Sequence, residues 1–578
     1  MRRPPVVFAP NHTKAETAPV PRRVNIPFFP DEVSWGQSAI FWFGVNEQSL
    51  PGKNYADVRV SYSPAGLAVR LTVTDYYLWY VQNASASDDL TAYDAAAIFL
   101  DTHHDRAASP QSDDYMFLIG ARHWESLDKY MRQARGTGSQ WDNSWIPSQV
   151  WSAQSGMQWS CDPGPNSNEC GIDYGWTAIF TIPWQTLGLS SAPANGTLWS
   201  LGVQLFDRDG LPPAGLVVPE GWPESFNASS PASWGDLHFG EAEYTPQPAQ
   251  QEGLTIIRAA SSTDNTVEDT WMGGDGTCSG GHMGGSETNH GDSQELFVGS
   301  ETAPTHLPCF NKSFLRFSLD AIPPGKEIIS ATLTLHHWGN AEPSLAQPSW
   351  VHLFTISDAW DEMTIHWNNA PLAQENISAN WIYPLSSFPG WPGIAYQWDA
   401  TQAVAEAYQT DDSVNIALYA SDSEQHSSKY LTSSETGNWN VAGRPMLSVA
   451  WGSVIPQISL TANTSQAMPG QTVTYTLSIL GNSAAISMTN ILPSGVSAPI
   501  TYSPGLIYTP HQLTWSGSPP AGVNVTLTYT VTVTASNRSA LWNQASLLLG
   551  GNEIAQTCHL LLVDPFDFYL PVTVKASQ

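Results

Sequence analysis

The chain has 578 residues, with 22 Lys or Arg against 52 Asp or Glu, which gives a formal net charge of −30 at pH 7. So acidic a protein lacks the basic surface that releases counterions from phosphates, which excludes nucleic acid and anionic membrane surfaces as main partners. Only 13% of the residues are charged and 42% are hydrophobic, with 25 Trp, which disfavours helical bundles and excludes a disordered chain.

The first 24 residues are polar and rich in Pro, and we expect a flexible lead-in there. Met1-Arg2-Arg3 is similar to the start of a signal peptide, but Pro4 and Pro5 stand where its apolar segment should follow. A leader is therefore not visible in the sequence as given. Low charge with much Thr and Asn nevertheless favours an extracellular or cell-surface location. The sequence contains no run of about 18 apolar residues, so no membrane-spanning helix is predicted.

Short runs of alternating apolar and polar residues recur between turn-forming residues from 25 to 245. Period-two alternation at this spacing predicts an antiparallel β-sandwich. The clearest runs are 58–62, 67–73, 97–100, 115–119 and 201–206.

The order of strand signatures in this region resembles the family 9 carbohydrate-binding modules. The resemblance implies a sugar-binding β-sandwich that holds structural calcium. The residues that carry it are Leu67 to Val73 with Thr74-Asp75, then Asp94 to Asp101, Gly175 to Trp184, Gly202 to Asp209, and Ser233 to Leu237.

Sugar binding needs aromatic faces against the C–H side of a pyranose ring. Four Trp residues stand among polar, Pro or Gly residues and are predicted to lie on loops, with core packing as the alternative for each. They are Trp79, Trp141, Trp145 and Trp222. The family 9 resemblance places one sugar-clamping position next to Tyr93 and the other near Trp222. Another ligand, or a purely structural role for this region, stays open.

Acidic residues cluster in two loops of the same region. The six predicted metal-binding residues are Asp101, Asp105, Asp113 and Asp114 in one loop and Asp207 and Asp209 in the other. Clustered carboxylates repel one another unless a cation or solvent screens them, and Ca²⁺ prefers several oxygen ligands. We predict structural Ca²⁺ at these residues, with solvated acidic loops as the alternative.

Residues 246–252 are predicted to be a linker, and 253–452 a second β-sandwich. The succession of 314–319, 328–335, Trp360 to Pro371, 415–420 and 444–449 resembles the DNRLRE domains, also classed as family 96 carbohydrate-binding modules. One short helix is predicted over 399–408, capped near Asp399 or Thr401.

A third sandwich is predicted over 453–563. In 523–533 every odd position is apolar and every even one is Asn or Thr, which predicts a strand with one face on a core and one in water. This strand, with 473–479, Pro469-Gly470 and Leu492 to Val496, resembles the DUF11 repeat over 456–563, an immunoglobulin-like surface spacer. The tail 564–578 is too short to span a membrane. Its sequence is compatible both with cell-envelope attachment and with a loose apolar end.

The five cysteines predict two disulfides and one odd thiol. Cys161 and Cys170 enclose a turn-rich octapeptide, and Cys278 and Cys309 could close a second loop, which leaves Cys558. Closing the first loop would stabilise the fold by about 2–3 kcal/mol in the chain-entropy model. Five unrelated buried thiols are the alternative.

The motifs of nucleophilic hydrolases, zinc proteases and phosphate-binding enzymes are not found in the sequence. Three tandem jelly-roll or immunoglobulin-like β-sandwiches use almost the whole all-β chain. We therefore expect a secreted, non-catalytic protein that binds polysaccharide during glycan breakdown. One alternative is a structural or adhesive cell-surface protein. Another is a glycoside hydrolase or its accessory subunit, with Asp75, Asp101 and Asp207 as the first carboxylates to substitute.

Overall fold

The structure is a computed structural model. It describes residues 20–45, 54–159, 165–167, 173–210, 217–273, 286–300, 310–421, 426–536 and 538–564. Strands make up 49% of the structure and helices 7%, which confirms the predicted all-β class with several sandwiches. The chain divides into two compact units, one of Met1–Glu243, Ile257–Leu319 and Thr332–Leu447, the other of Tyr244–Ile256, Asp320–Ala331 and Ser448–Gln578.

The N-terminal part of the first unit is a two-sheet sandwich. Its strands are β1 (Arg23–Ile26), β2 (Ala39–Gly44), β3 (Tyr55–Tyr62), β4 (Gly66–Thr74), β5 (Ala95–Asp101), β6 (Asp114–Gly120), β7 (Met131–Gly136), β8 (Trp141–Asp142), β9 (Ser152–Gln158), β10 (Gly175–Pro183), β11 (Leu198–Asp207), β12 (Val218–Trp222) and β13 (Gly235–Phe239). Short 3-10 helices cover Trp35–Gln37, Leu90–Ala92, Leu127–Tyr130, Trp184–Leu187 and Pro231–Ser233.

One sheet of this sandwich has the antiparallel order β2-β3-β4-β10-β9. The other has the order β1-β13-β11-β5-β6-β7-β8, in which β1 runs parallel to β13 and β12 pairs with the C-terminal half of β11. Alternate residues of both sheets, such as Val58, Val69, Ile98 and Leu201, meet in one core. The sandwich expected over 25–245 thus follows from its period-two pattern.

The same unit holds a second sandwich. The strands that follow β13 are β14 (Ala249–Ile257), β15 (Val267–Gly273), β16 (Glu295–Ser300), β17 (Phe310–Ser318), β18 (Glu327–Asn340), β19 (Ser349–Thr355), β20 (Glu375–Ile382), β21 (Ile394–Asp399), β22 (Ser413–Ala420), β23 (Lys429–Thr432) and β24 (Met446–Val454). One sheet has the order β15-β17-β22-β19-β20 and the other β16-β23-β18-β21.

One α-helix, α1 (Thr401–Thr410), and a 3-10 helix at Asn438–Gly443 lie among these strands. The helix begins two residues later than the predicted start at 399. The residue at the N-cap position is Ala400, whose side chain makes no capping hydrogen bond, so neither Asp399 nor Thr401 is the N-cap. Asp399 instead accepts a hydrogen bond at Oδ1 from the Thr401 N–H at 2.9 Å, just before the helix. Within the described part of the chain, the helices are too short and too polar to span a bilayer.

The two sandwiches of the first unit share a further core. Along β2 and β3 one set of alternate residues packs inside the N-terminal sandwich, while the other set, including Ile40, Trp42 and Tyr55, packs on Phe310 and Phe314 of β17. Both faces of β3 are consequently buried along its whole length. The side chains of these strands therefore serve two cores at once.

A buried ammonium stands in the middle of this shared core. Lys312 Nζ lies 3.8 Å from the ring centroid of Trp367 and 4.4 Å from that of Trp42, and it is 3.3 Å from the Tyr55 hydroxyl. Burial lowers the pKa of Lys312 to about 7. Cation–π contacts with several rings replace part of the hydration that the ammonium has lost.

Asp57 on β3 is the carboxylate of this network. It accepts hydrogen bonds from the hydroxyls of Tyr55 at 2.8 Å and Tyr419 at 2.7 Å, and burial raises its pKa. Further polar contacts join the sandwiches, because Arg22 pairs with Asp358 and with Glu224. Hydrogen-bonded polar groups inside a core favour one arrangement of the elements around them.

The second compact unit contains paired strands β14 and β24 and a further sandwich. The remaining strands are β25 (Gln457–Ala462), β26 (Gln466–Ala467), β27 (Thr472–Leu480), β28 (Ile486–Ile491), β29 (Thr501–Tyr502), β30 (Ile507–Thr509), β31 (Gln512–Gly517), β32 (Asn524–Thr532), β33 (Ser539–Leu549) and β34 (Asn552–Val563). The sheets have the orders β25-β27-β32-β29 and β26-β34-β33-β28-β31-β30.

The strand predicted from alternation in 523–533 is β32. Leu527, Tyr529 and Val531 are buried, and Tyr529 stacks on Tyr475 of β27 with ring centroids 5.3 Å apart. The Asn543 amide donates to the Tyr529 hydroxyl from β33, which supplies the partner a buried phenol needs.

Both predicted disulfides lie outside the described residues, because Cys161, Cys170, Cys278 and Cys309 all do. Cys558 on β34 is an exposed free thiol.

Candidate functional site

Three buried carboxylates meet at one end of the N-terminal sandwich. Asp75 follows β4, Asp94 precedes β5 and Asp207 ends β11, and their oxygens lie within 4.8 Å of one another. Strands β5 and β11 are neighbours, with Ala95 opposite Phe206, so the sheet itself brings Asp94 and Asp207 together. All three carboxylates are almost completely removed from solvent.

Backbone N–H groups donate hydrogen bonds to only some of the carboxylate oxygens in this cluster. Asp94 accepts from the N–H groups of Trp79 at 2.6 Å and Arg208 at 2.9 Å, and Asp75 Oδ1 accepts from the Tyr77 N–H at 2.9 Å. Asp75 Oδ2 and both oxygens of Asp207 make no hydrogen bond of normal geometry to the described residues. Burying a carboxylate in this condition costs several kcal/mol unless a proton or a cation accompanies it.

The raised pKa values of the cluster also indicate carboxylates that need a proton or a cation. Burial raises the pKa of Asp75 to about 7 and that of Asp207 to about 9, and it holds the pKa of Asp94 well above its usual range. Repulsion among the three carboxylates, with Asp209 nearby, raises these pKa values further. Ca²⁺ prefers several carboxylate oxygens as ligands. Asp75 and Asp207 supply three oxygens without partners beside the hydrogen-bonded Asp94, so the three residues fit such an ion.

A second acidic group lies in the loop after β5. Oxygens of Asp101, Asp105 and Asp113 also lie within 4.8 Å of one another. Asp101 already accepts from the N–H groups of His103 and His104 and from the Ser200 hydroxyl. The oxygens of Asp101 are thus used by the loop itself, which leaves less capacity for an ion here than in the first cluster.

The other predicted acidic residues interact with the two groups through contacts and charge. Asp113 Oδ2 is 3.2 Å from His103 Nδ1. Burial raises the pKa of Asp114 to about 7, and repulsion from Asp101 and Asp113 adds to the effect. Asp209 acts on Asp75 and Asp207 through its charge.

Sequence reasoning therefore missed Asp75 and Asp94 as candidate ligands. It grouped carboxylates that are close along the chain, whereas the first cluster combines strand ends that are far apart in sequence. The signal that could have found them is an acidic residue directly outside a predicted strand, as in Thr74-Asp75 and Tyr93-Asp94.

Two of the predicted sugar-binding aromatic residues are buried. Trp79 is 4% exposed and Trp222 is 1% exposed. The loop position predicted for Trp222 was wrong, since it ends β12 and packs on Phe41 with ring centroids 4.1 Å apart. A Cβ added at Gly235 would lie 2.6 Å from the Trp222 ring, so the core closes around it. Neither ring offers a face to a glycan.

The other three candidates are half-buried. Trp141 lies parallel to Trp234 at 6.4 Å and donates to the Ala228 carbonyl at 3.0 Å. Trp145 packs on Tyr115 at 5.4 Å. Both rings are therefore partly covered by the protein.

Tyr93 also has an occupied face, because the Arg208 guanidinium lies 5.2 Å from its ring. A Trp that the sequence did not single out, Trp124, is 76% exposed beside His123 at 4.5 Å. The N-terminal sandwich thus presents partial aromatic faces but not the buried pair Trp79 and Trp222.

The region from β15 to β24 resembles a known family in its sequence. Residues 268–447 match carbohydrate-binding module family 96. The family 96 resemblance predicted over 253–452 is confirmed for this stretch, and a carbohydrate-binding role is supported for it. No match was found in a comparison with curated proteins.

Solved structures similar to this chain include carbohydrate-binding modules and an adhesin. A family 9 module from Caldicellulosiruptor kristjanssonii in complex with glucose has 18% identity and a TM-score of 0.26, covering 39% of this chain and 98% of its own. Its complex with cellotriose has 19% identity and a TM-score of 0.25, covering 38% and 95%. The N-terminal domain of the Streptococcus gordonii adhesin Sgo0707 has 11% identity and a TM-score of 0.17, covering 84% and 98%.

Proposed function

We propose that this protein is a secreted, non-catalytic carbohydrate-binding protein that attaches to polysaccharide through the first compact unit. The observation that supports this most directly is the family 96 match over residues 268–447. Glycan breakdown is the setting that we propose, since a binding protein there keeps hydrolases close to an insoluble or viscous polymer. Weak sites on one chain raise each other's effective concentration along a repeating polymer.

The N-terminal sandwich is proposed to hold structural Ca²⁺ at Asp75, Asp94 and Asp207. The ion would neutralise three buried carboxylates and tie the ends of β4, β5 and β11 together. The unpartnered oxygens of Asp75 and Asp207 support this assignment. The same burial disfavours the hydrolase alternative, because Asp75, Asp101 and Asp207 are closed to a glycosidic bond.

Affinity gel electrophoresis of the full chain tests the proposal. Native gels cast with plant, algal or bacterial polysaccharides should retard the protein relative to a non-binding reference protein. Retardation should persist with glycans that the protein does not shorten, as measured by reducing-sugar release. Equal mobility with and without every polysaccharide, or release of reducing sugar, would refute the proposed function.

A cell-surface spacer is the second candidate for the C-terminal sandwich. From residue 456 to the end the sequence has two basic residues, Arg538 and Lys575, against Glu553, Asp564 and Asp567. A nearly neutral sandwich with alternating Thr residues on its outer face suits a spacer. Retention of the protein in a cell-envelope fraction without affinity for any glycan would favour this candidate over polysaccharide binding.

A further inference from the structure

Three exposed aromatic side chains and one half-buried Trp form a contiguous cluster on the second sandwich, which we name the Trp391 cluster. The exposed members are Phe388, Trp391 and Trp439, and the half-buried member is Trp338. The ring centroid of Trp391 lies 4.7 Å from Trp439, 5.1 Å from Phe388 and 5.8 Å from Trp338. Trp391 is 46% exposed, Phe388 55% and Trp439 61%. Contiguous exposed aromatic surface of this kind is unfavourable in water and marks an interaction site.

The backbone around the cluster is built to turn these rings outward. A β-bulge in β18, between His337 and Gly339, leaves Trp338 without a backbone partner on β23. Bulges of this kind re-aim a side chain. The loop that carries Phe388 and Trp391 returns to β18 at Gly393, where an added Cβ would lie 2.8 Å from the His337 carbonyl oxygen. Gly393 has φ +102°, a conformation that favours glycine.

Hydrogen bonds from a buried arginine hold the segment that carries Trp439. The buried Arg444 guanidinium donates to the Thr436 carbonyl at 3.0 Å and to Asn438 Oδ1 at 3.0 Å. An added Cβ at Gly437 would lie 2.8 Å from Trp439 Cδ1, so the indole rests on the glycine. Rings held in this way lose little conformational entropy when a ligand stacks on them.

The charges of the region decide which glycans suit the cluster. Residues 268–447 contain five Lys or Arg residues. Lys312, Lys429 and Arg444 are buried. Arg316 pairs with Glu268, and Lys326 pairs with Glu252. Arg258, just before this range, donates to Met446 Sδ at 3.1 Å. A polyuronate would therefore find few cationic partners that are not already engaged, on a chain of net charge −30.

We propose that the Trp391 cluster binds a single chain of a neutral polysaccharide, a glucan or a mannan, by stacking sugar rings on Trp391 and Trp439. This inference rests on the proposed carbohydrate-binding function and names its site and ligand class. The planes of neighbouring rings differ by 44–72°. Such rings cannot all lie flat on one planar crystal face, which favours a single hydrated chain over crystalline polymer.

Affinity electrophoresis of the full chain tests this inference with barley β-glucan, glucomannan, polygalacturonate and alginate, all in EGTA. The variants are Trp391→Ala and Trp439→Ala. The matched control is Trp542→Ala, which removes an indole 59% exposed in the second compact unit. The dissociation constant for the neutral glycan should rise at least tenfold in both cluster variants and stay unchanged in the control. Trp391→Phe should retain part of the affinity, because a smaller ring still stacks.

The outcomes separate this inference from the proposed function. If the wild-type protein binds glycans and both cluster variants bind equally well, the cluster is not the site, while carbohydrate binding stands. If the wild type binds only the polyuronates, the assignment to neutral chains is wrong. If no glycan is bound, both proposals fail. A dimer that dissociates in Trp391→Ala, measured by analytical ultracentrifugation, would identify the cluster as a protein interface instead.

Discussion

Asp207→Asn provides a direct test of the buried carboxylate cluster. In EGTA, three carboxylates within 4.8 Å of one another repel. Two full charges at this distance repel by about 3–4 kcal/mol at an effective dielectric constant of about 20, an upper limit because protonation relieves part of the repulsion. The substitution keeps nearly the same shape and removes a group that, at neutral pH and without an ion, must either carry this charge or take up a proton. We therefore expect the variant to be more stable than the wild type in EGTA.

Calcium should reverse that order. An ion present at about 100 times its dissociation constant stabilises the folded state by about 2.7 kcal/mol. For a large folding unit this amounts to a rise of about 5 °C in the Tm of the first transition. The side-chain amide that replaces the carboxylate carries no charge, so most of the rise should disappear in Asp207→Asn.

Differential scanning calorimetry in EGTA and in millimolar CaCl₂ measures both effects. Asp31→Asn, at an exposed carboxylate of the same sandwich, is the control and should respond to calcium as the wild type does. An equal wild-type Tm in the two buffers would refute the metal assignment. A full calcium response in Asp207→Asn would refute the participation of this carboxylate.

Three further results follow from the buried groups. The folded protein keeps Lys312 neutral above about pH 7, whereas the unfolded chain keeps it protonated up to about pH 10.4. Its contribution to the unfolding free energy should therefore rise with pH over that window, by up to about 1.4 kcal/mol per pH unit. In urea titrations, Lys312→Met should reduce the rise of the unfolding free energy with pH. An equal rise in the variant and the wild type would contradict this role of Lys312. Trp222→Ala should cost about 3–5 kcal/mol of stability without weakening glycan binding by the folded protein; weaker binding at unchanged Tm would restore Trp222 as a ligand residue. Asn543→Ala should destabilise the C-terminal sandwich by about 1–3 kcal/mol, because the Tyr529 hydroxyl loses its partner, and an unchanged urea midpoint would exclude this.

Local patterns predicted the elements of this fold well. Alternation in 523–533 identified β32 and the face it buries. Asp399 located the start of α1 to within two residues. Both features depend on neighbours in sequence, which is why composition and spacing were sufficient.

Long-range contacts were beyond the same reasoning. Period-two alternation indicates one buried face, but β3 buries both, since Asp57 and Tyr55 face a second sandwich that lies far away in sequence. The Asp75–Asp94–Asp207 cluster likewise depends on which strands become neighbours. Trp222 was misplaced because Gly and Pro around it indicated a loop, although the ring fills a core.

The aromatic ammonium cage around Lys312 has a consequence for how this protein can be divided. An excised fragment ending at the family 96 boundaries, 268–447, would leave Phe310, Phe314 and Trp367 without the indole and phenol of Trp42 and Tyr55. Modules of this type are usually treated as interchangeable cassettes. The two sandwiches share one core, so a cut between Tyr55 and Phe310 would expose Lys312 and the ring of Trp367 to water.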